Sequence, residues 1–245
     1  MVEVIGFGLA GACVALQLQR AGYRVRVIDD GHGGSSQVAA GLVNPVAGRN
    51  FEPSWEVAEA WEIGLPFYQS LGVGLFHSVS ILRLWFDQAD RLKFERKREF
   101  VEPWIASVTG EGVLWKQGGW LDCPRFLEVA REEFLAKGGE WHDAPQGGAQ
   151  IWCTGASGLI RNDFSDIEHR SAKGEILTVC IPGWGEKRIL NRAGWLIPIG
   201  EDLYRVGATY DWDHLETGPT DEGRKKVEEI LKNFTTRDYE VVNHV

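Results

Sequence analysis

The feature that most constrains the fold is a glycine pattern near the start of the chain, GFGLAG at residues 6–11. Residues 2–5 form a short run with β-branched side chains, which favours a strand. Apolar residues then recur at helical spacing from Leu9 to Gly22, and residues 23–30 alternate like a second strand. A strand, a helix and a second strand in this order predict a parallel β-α-β unit.

The glycines have the spacing G-x-G-x-x-G, which is typical of dinucleotide-binding turns. The first glycine permits a tight turn, the second lets backbone approach a pyrophosphate, and the third allows close contact between helix and strand. The start of the helix adds free N–H donors and partial positive charge for the phosphates, and an acid at the end of the second strand can accept from ribose hydroxyls. NAD and FAD fit equally well at this point. The residues predicted to bind the dinucleotide are Gly6, Gly8, Leu9, Ala10, Gly11, Asp29 and Asp30.

Further segments carry a resemblance to a known family. The run from VIGFGLAG to VIDD is followed by SSQVAAGLVNPVAGR at residues 35–49, then by IWCTGA, KGEILTV, LIPIG and LYRVGATYDW. In this order the segments resemble the FAD-dependent D-amino-acid oxidase and glycine oxidase superfamily. The likeness covers nearly the whole chain. It extends to bacterial members of the superfamily that are related to the oxidase domain of a tRNA wobble-uridine modification enzyme.

The resemblance implies FAD as the cofactor. In such proteins the segment matching residues 35–44 runs along the flavin, where small residues let the backbone approach a flat and largely apolar ring. The residues matching Thr154 and Gly155 make a second dinucleotide contact. The remaining residues implied to contact the flavin are Ser35, Ser36, Ala40, Gly41 and Leu42.

The resemblance also implies the reaction. An amine next to a carboxylate gives a hydride from its α-carbon to flavin N5, and the resulting imine hydrolyses. Binding such a substrate needs a cation, because an Arg fork matches a carboxylate bidentately. Arg49, Arg83 and Arg205 are candidates, with Tyr210 as a hydroxyl donor, and Arg49 is favoured because it is close in sequence to the flavin segment.

The expected fold class is α/β, with a Rossmann-like FAD-binding domain containing a parallel sheet and an interleaved, mostly antiparallel α+β substrate domain. The FAD-binding domain is predicted to comprise residues 1–50, 118–165 and 236–245. The substrate domain is predicted to comprise residues 51–117 and 166–235.

Local patterns predict several elements within this frame. Residues 80–86 alternate like a strand, with Ile81 and Leu82 on opposite faces. Asp122 and Thr220 are predicted to cap helices, since each precedes an amphipathic run. A stripe of Leu127, Ala130 and Phe134 is expected to be the buried face of the first of these helices.

Composition excludes several other functions. A net charge of −9 and a pI near 5.2 argue against a general nucleic-acid binder, and no apolar run is long enough to span a bilayer.

Four widely spaced cysteines favour reduced thiols in the cytoplasm. The histidines lack metal-binding spacing, so no metal is expected, and TGASGL around Ser157 is not the G-x-S-x-G of hydrolases.

The C-terminal sequence differs from the family pattern. In related proteins the point matching YEVVNHV is followed by a Gly-x-Arg-Pro segment, a last strand and a glycine-rich turn beside the flavin. Without these parts we expect uncovered sheet edges and a tendency to self-association. Two alternatives to amino-acid oxidation stay open: action on a carboxymethylaminomethyl-modified tRNA base, and a non-catalytic flavin-binding fragment.

Overall fold

The structure, a computed structural model, describes residues 1–160, 164, 167–168, 170–215 and 218–245. Two compact units are present: Met1–Ala39, Pro66–Leu75 and Asp122–Ser171 form the first, and Ala40–Leu65, Phe76–Leu121 and Ala172–Val245 form the second. The predicted domain boundary between residues 165 and 166 lies outside the described residues. The same holds for His169, one of the histidines that lack metal-binding spacing.

The elements follow one another in a mixed order of strands and helices. In chain order they are β1 (Val2–Ile5), α1 (Leu9–Arg20), β2 (Val25–Ile28), α2 (Ser35–Val38), β3 (Leu42–Val43), α3 (Val57–Leu71), β4 (Phe76–Ser78), β5 (Ile81–Leu84), α4 (Gln88–Val101), β6 (Ile105–Val108), β7 (Gly112–Trp115), β8 (Gly119–Leu121), α5 (Cys123–Ala136), β9 (Glu140–His142), β10 (Ala149–Trp152), β11 (Ile176–Cys180), β12 (Ile189–Asn191), β13 (Trp195–Gly200), β14 (Leu203–Gly207), α6 (Asp221–Leu231) and β15 (Glu240–His244). Short 3₁₀ turns occupy Glu102–Trp104 and Gly155–Ile160.

The first unit is built on a parallel sheet with the strand order β10-β1-β2-β9. The predicted β-α-β unit is therefore confirmed. Helix α1 ends where Gly22, at φ 84°, lets the Tyr23 N–H donate to the Leu18 carbonyl, which is the pattern of a glycine C-cap.

Helix α5 of the first unit begins at its predicted cap, where the Asp122 carboxylate accepts from the Arg125 N–H. Its buried face differs by one residue from the expected stripe. Phe126, rather than Leu127, is buried together with Ala130 and Phe134. Leu127 is half-buried and lines a cavity.

The second unit contains an eight-stranded sheet with the order β15-β11-β14-β13-β12-β5-β7-β6, in which only β12 and β5 are parallel neighbours. The predicted mostly antiparallel sheet is confirmed. Ile81 packs in a buried cluster with Phe94, and Leu82 packs in a separate buried cluster with Val227. Both faces of β5 are therefore covered, as its alternating pattern indicates. A second, three-stranded sheet has the order β3-β8-β4.

Two elements differ from expectation. Helix α3 was not predicted, because Pro66 lies inside it and interrupts the helical pattern. Strand β15 pairs antiparallel with β11 in the second unit, whereas residues 236–245 were expected in the FAD-binding domain. The assignment of FAD and substrate binding to particular ranges stays a prediction. Within the part of the chain that the structure describes, no helix combines the length and apolarity needed to cross a bilayer.

A buried carboxylate joins three segments of the second unit. Glu175, just before β11, is only 4% exposed. It accepts from the backbone N–H and hydroxyl of Thr220, each at 2.9 Å, and pairs with His244 Nε2 at 2.8 Å and Lys173 Nζ at 3.0 Å. Thr220 also caps α6, as predicted, by accepting from the Gly223 N–H. Glu175 thus connects β11, the start of α6 and β15.

Replacing this carboxylate should change the pH dependence of stability. Burial by itself would raise the pKa of Glu175, but hydrogen bonds from Thr220, Lys173 and His244 outweigh burial and hold the pKa below its ordinary value of 4.5. The ionised form therefore stabilises the fold fully above that ordinary value, and the contribution is lost as the pH falls through the lower pKa of the folded state. We expect Glu175→Gln to lower the free energy of unfolding near neutral pH and to flatten its decrease on acidification from about pH 6 towards about pH 3.

Urea titrations of both proteins at several pH values measure this effect. Glu240→Gln is the matched control, since Glu240 is an exposed glutamate in β15. Equal pH dependence in the wild type and Glu175→Gln would contradict the role of the Glu175 carboxylate.

Candidate functional site

A cavity of about 590 Å³ lies in the first unit at the carboxyl ends of β1, β2 and β10. Ligands of open parallel sheets bind at this edge, because loops and helix N-termini converge there. The lining comes from the turn between β1 and α1, the end of β2, helix α2, and the turn after β10.

Two glycines make the turn between β1 and α1 possible. Gly6 has φ 93°, and a Cβ on it would lie 2.6 Å from the Cys153 carbonyl oxygen. A Cβ on Gly11 would lie 1.9 Å from the Gly6 carbonyl oxygen. No side chain fits at either position, so α1 begins close against the end of β1.

The N-terminus of α1 faces the cavity with backbone donors. Gly8 is the N-cap residue and has no side chain to satisfy them. The Ser36 hydroxyl, from α2, accepts from the Leu9 N–H at 3.2 Å. The remaining N–H groups of the first turn have no acceptor within the helix, and with the helix dipole they favour an anion such as a phosphate.

Asp29, which follows β2, is hydrogen-bonded to the turn after β1 at the mouth of the cavity. Its carboxylate accepts from the Phe7 N–H at 2.7 Å and from the Gly31 N–H at 2.8 Å. A carboxylate has about four lone-pair positions, so it can still accept from further hydroxyls. Asp30 is exposed and accepts from the His32 N–H.

The structure brings most of the predicted dinucleotide residues together. Gly11 lies behind the lining, where it allows α1 to approach the turn. Ala40, Gly41 and Leu42 belong to the second unit, where Ala40 is buried, the Gly41 carbonyl accepts from Leu121, and Leu42 pairs with Trp120. The predicted residues that line the cavity are Gly6, Gly8, Leu9, Ala10, Asp29, Asp30, Ser35, Ser36, Thr154 and Gly155.

Several lining residues were not predicted. Trp152 and Phe164 form an edge-to-face pair at 5.3 Å between ring centroids, and Asp143 and Ser157 add polar groups. Trp152 ends β10 and Asp143 follows β9, so their positions at the carboxyl ends of parallel strands were the available signal. Phe164 carried no comparable signal.

The thiols near this cavity are not activated. Burial raises the pKa of Cys153, which precedes Thr154, and also that of Cys13 in α1. Burial, together with Cys13, raises the pKa of Tyr68 to about 12. None of the four cysteines forms a disulfide bond. Cys13, Cys153 and Tyr68 therefore stay protonated near neutral pH, and the two thiols supply no thiolate nucleophile.

The predicted substrate-binding residues have different surroundings. Arg83 is 2% exposed and forms a two-point ion pair with Asp90 at 3.1 and 3.2 Å. Arg49 is exposed, with its guanidinium 5.9 Å from the Phe86 ring centroid. Tyr210 is 74% exposed.

Arg205 and Arg192 complete the set of relevant arginines. Arg205 is half-buried in β14. Arg192, which was not predicted, lies in the turn between β12 and β13, with its guanidinium 5.7 Å from the Phe86 ring centroid. Arg49, Arg83 and Arg192 thus meet around one ring in the second unit. Only the packing of distant segments reveals this grouping.

The comparison with protein families decides the identity. The family model DAO, described as FAD dependent oxidoreductase, matches residues 1–244. The chain belongs to this family of FAD-dependent oxidoreductases.

Two curated relatives have low identity to this DAO-family chain. The tRNA 5-methylaminomethyl-2-thiouridine biosynthesis bifunctional protein MnmC of Idiomarina loihiensis is 24% identical over 261 residues, which cover 90% of this chain and 43% of MnmC. Glycine oxidase of Pseudomonas aeruginosa is 22% identical over 278 residues, which cover 92% of this chain and 75% of that enzyme. The chain therefore spans less than half the length of MnmC.

Solved structures share the fold. Iminodiacetate oxidase from Chelativorans sp. BNC1 has a TM-score of 0.83 at 19% identity, covering 100% of this chain and 82% of that one. Glycine oxidase from Bacillus cereus has a TM-score of 0.77 at 16% identity, covering 99% and 80%. These structures confirm the mixed α/β fold with one parallel and one mostly antiparallel sheet.

The cavity of this DAO-family protein fits FAD. Its volume lies within the roughly 300–1,000 Å³ of cofactor pockets. The glycine turn leaves no room for a Cβ, the start of α1 offers donors for phosphates, and Asp29 offers acceptors for hydroxyls. Among the described residues, no group of three or more His, Cys, Asp or Glu side chains could hold a metal ion.

Adding a methyl group at Gly11 should disrupt the turn. The Cβ of Gly11→Ala would meet a backbone oxygen rather than a flexible side chain, so β1 and α1 must separate. We expect a loss of about 1–3 kcal/mol in the free energy of unfolding and a large drop in bound FAD. Denaturant titration and the ratio of flavin to protein absorbance measure both effects.

The control variant is Gly110→Ala. Gly110 is exposed in the turn between β6 and β7, and an added Cβ meets no atom within 4 Å. It should keep both stability and flavin content. Normal flavin content in Gly11→Ala would contradict the proposed fit.

Proposed function

We propose that this protein oxidises the carbon–nitrogen bond of a small amino acid or N-substituted glycine, with FAD bound in the cavity of the first unit. The observation that carries the proposal is the cavity at the carboxyl ends of the parallel strands, with its glycine turn, α1 N-terminus and Asp29. Two relatives named for such substrates, a glycine oxidase and an iminodiacetate oxidase, support the choice of substrate class.

The residues of the first unit would hold the cofactor. The first turn of α1 would donate to the phosphates, and Asp29 would accept from ribose hydroxyls while supporting the turn through the Phe7 N–H. Thr154 and Gly155 would contact the dinucleotide after β10. Contacts of Ser35, Ser36, Ala40, Gly41 and Leu42 with the flavin ring stay a prediction.

Bound FAD supplies the hydride acceptor for the reaction. The protein's own task is to bind and orient the substrate, so that its α-carbon is correctly placed. A buried carboxylate is costly without a cation, and a positively charged side chain would therefore bind the substrate's acid group. We propose Arg49 for this role, with Tyr210 as a hydroxyl donor. Arg83 is the third residue that the sequence predicts for the substrate site.

Arg83 would act differently from Arg49. Its guanidinium already binds the Asp90 carboxylate at two points and donates to the Leu84 carbonyl at 2.6 Å. Few of its donors are left for a ligand. Arg83 would therefore shape the surroundings of Arg49, since both guanidinium groups lie near the Phe86 ring.

A second candidate is action on a modified tRNA base. The similarity to MnmC, named for tRNA 5-methylaminomethyl-2-thiouridine biosynthesis, favours it. The net charge of −9 opposes it, because nucleic-acid binding proteins neutralise phosphates with Lys and Arg. Binding of unmodified tRNA at low salt separates the two candidates, since the amino-acid oxidase should show none.

The decisive test is the visible spectrum of the purified protein before and after anaerobic addition of glycine, sarcosine and D-amino acids. We expect a flavin spectrum that one of these amines bleaches, because the two electrons lost when the amine is oxidised to an imine would reduce the bound flavin. Glycinamide and acetate are controls, since the first lacks the acid group and the second lacks the amine. A bound flavin that no amine bleaches would contradict the oxidase proposal.

A further inference from the structure

Three guanidinium groups surround the ring of Phe86 in the second unit. The Cζ atoms of Arg83, Arg192 and Arg49 lie 5.0, 5.7 and 5.9 Å from its centroid. They come from β5, from the turn between β12 and β13, and from the segment after β3. Guanidinium groups repel one another, so this grouping costs free energy unless a negative charge balances it.

Only part of the positive charge is balanced. Asp90 pairs with Arg83 and also accepts from the Phe86 N–H at 3.1 Å, so three of its roughly four acceptor positions are used. In the part of the chain that the structure describes, neither Arg49 nor Arg192 forms an ion pair. Lys93 adds a further positive charge, since its ammonium donates to the Arg49 carbonyl at 3.2 Å.

The charged neighbours of Arg83 affect its pKa. Burial lowers the pKa of Arg83, Asp90 raises it, and the positive charges of Arg49 and Arg192 lower it further. The two unpaired arginines are therefore close enough to act on the buried one. An anion bound between them would relieve this repulsion.

Arg192 has an unpaired donor inside the protein. Its Nε is buried and has no hydrogen-bond partner among the described residues, while one Nη donates to the Phe86 carbonyl at 3.3 Å. A buried donor without a partner is unfavourable, because it has lost its hydrogen bond to water and forms none within the protein.

The turn that carries Arg192 is itself constrained. Ala193 has φ 53°, in the left-handed region that favours glycine, and the Arg192 N–H donates to the Gly194 carbonyl. Both features define the backbone of this turn, while the Arg192 Nε–H has no partner among the described residues. A ligand oxygen would supply the partner that the protein does not.

We propose that Arg192, together with Arg49, binds the carboxylate of the substrate, and that the Arg83–Asp90 pair positions them. A carboxylate suits the site because it is a small planar anion whose two oxygens match a guanidinium fork. The Arg192 Nε–H has no partner among the described residues, and the Arg49 guanidinium lies near the same ring. The inference rests on the proposed function, since the ligand is its substrate.

Acetate is the probe of choice, because it carries the carboxylate but no amine to be oxidised. Its binding to the purified flavoprotein is measured by isothermal titration, with acetamide as the uncharged analogue and inorganic phosphate as the competing anion. We expect acetate to bind, acetamide not to bind, and phosphate to bind more weakly than acetate.

Variants of Arg192 test the assignment. Arg192→Gln should weaken acetate binding at least about tenfold, which corresponds to about 1.4 kcal/mol. Arg192→Lys keeps the charge but loses the fork, so its affinity should be intermediate. Arg188→Gln is the matched control, since Arg188 lies nearby in sequence and is already paired with Glu186. Far-UV circular dichroism and flavin content show whether each variant is folded.

The results separate this site from the oxidase activity. Arginine-dependent acetate binding supports the site even if no amine bleaches the flavin, a combination that would contradict the proposed function alone. If the protein also oxidises glycine, Arg192→Gln should raise KM more than it lowers kcat. Equal acetate affinity in the wild type and Arg192→Gln, absent binding in the wild type, or tighter binding of phosphate than acetate would each overturn the proposal.

Discussion

The close contact between the start of α1 and the end of β1 is the constraint on which the first unit depends. A Cβ on Gly11 would lie 1.9 Å from the Gly6 carbonyl oxygen, so only glycine lets the helix begin there. That position brings the backbone donors of the helix to the sheet edge, where Asp29 accepts from the Phe7 N–H and supports the same turn. The cavity, and with it the proposed cofactor contacts, follows from this one approach of two backbones.

The second unit is held together by different interactions. Its large sheet has both faces covered, and the buried Glu175 connects β11, α6 and β15 through its hydrogen bonds. Against this paired arrangement the cluster around Phe86 stands out, since its positive charges exceed its negative one. Buried charges in proteins are normally paired, because desolvation is expensive. The excess positive charge of this cluster therefore favours an anionic ligand.

Sequence patterns predicted elements best where local physics decides them. Asp122 and Thr220 cap their helices because their side chains can accept from N–H groups only three residues on. Helix α3 was missed, since Pro66 interrupts its pattern and yet the chain continues as a helix around it. The grouping of Arg192 with Arg49 was missed for another reason, because the two residues are far apart in sequence and meet only through the order of strands in the sheet.

The sequence by itself determined the β-α-β unit, the glycine turn and the position of Asp29 at the end of β2, because these depend on contacts between residues close along the chain or on a recognisable spacing. The family also follows from the sequence, through the match over residues 1–244. Only the tertiary structure decided that Trp152 and Phe164 line the cavity, that β15 pairs with β11, and that Arg83 is already bound to Asp90. Such facts depend on long-range packing, which brings side chains together independently of their spacing in sequence.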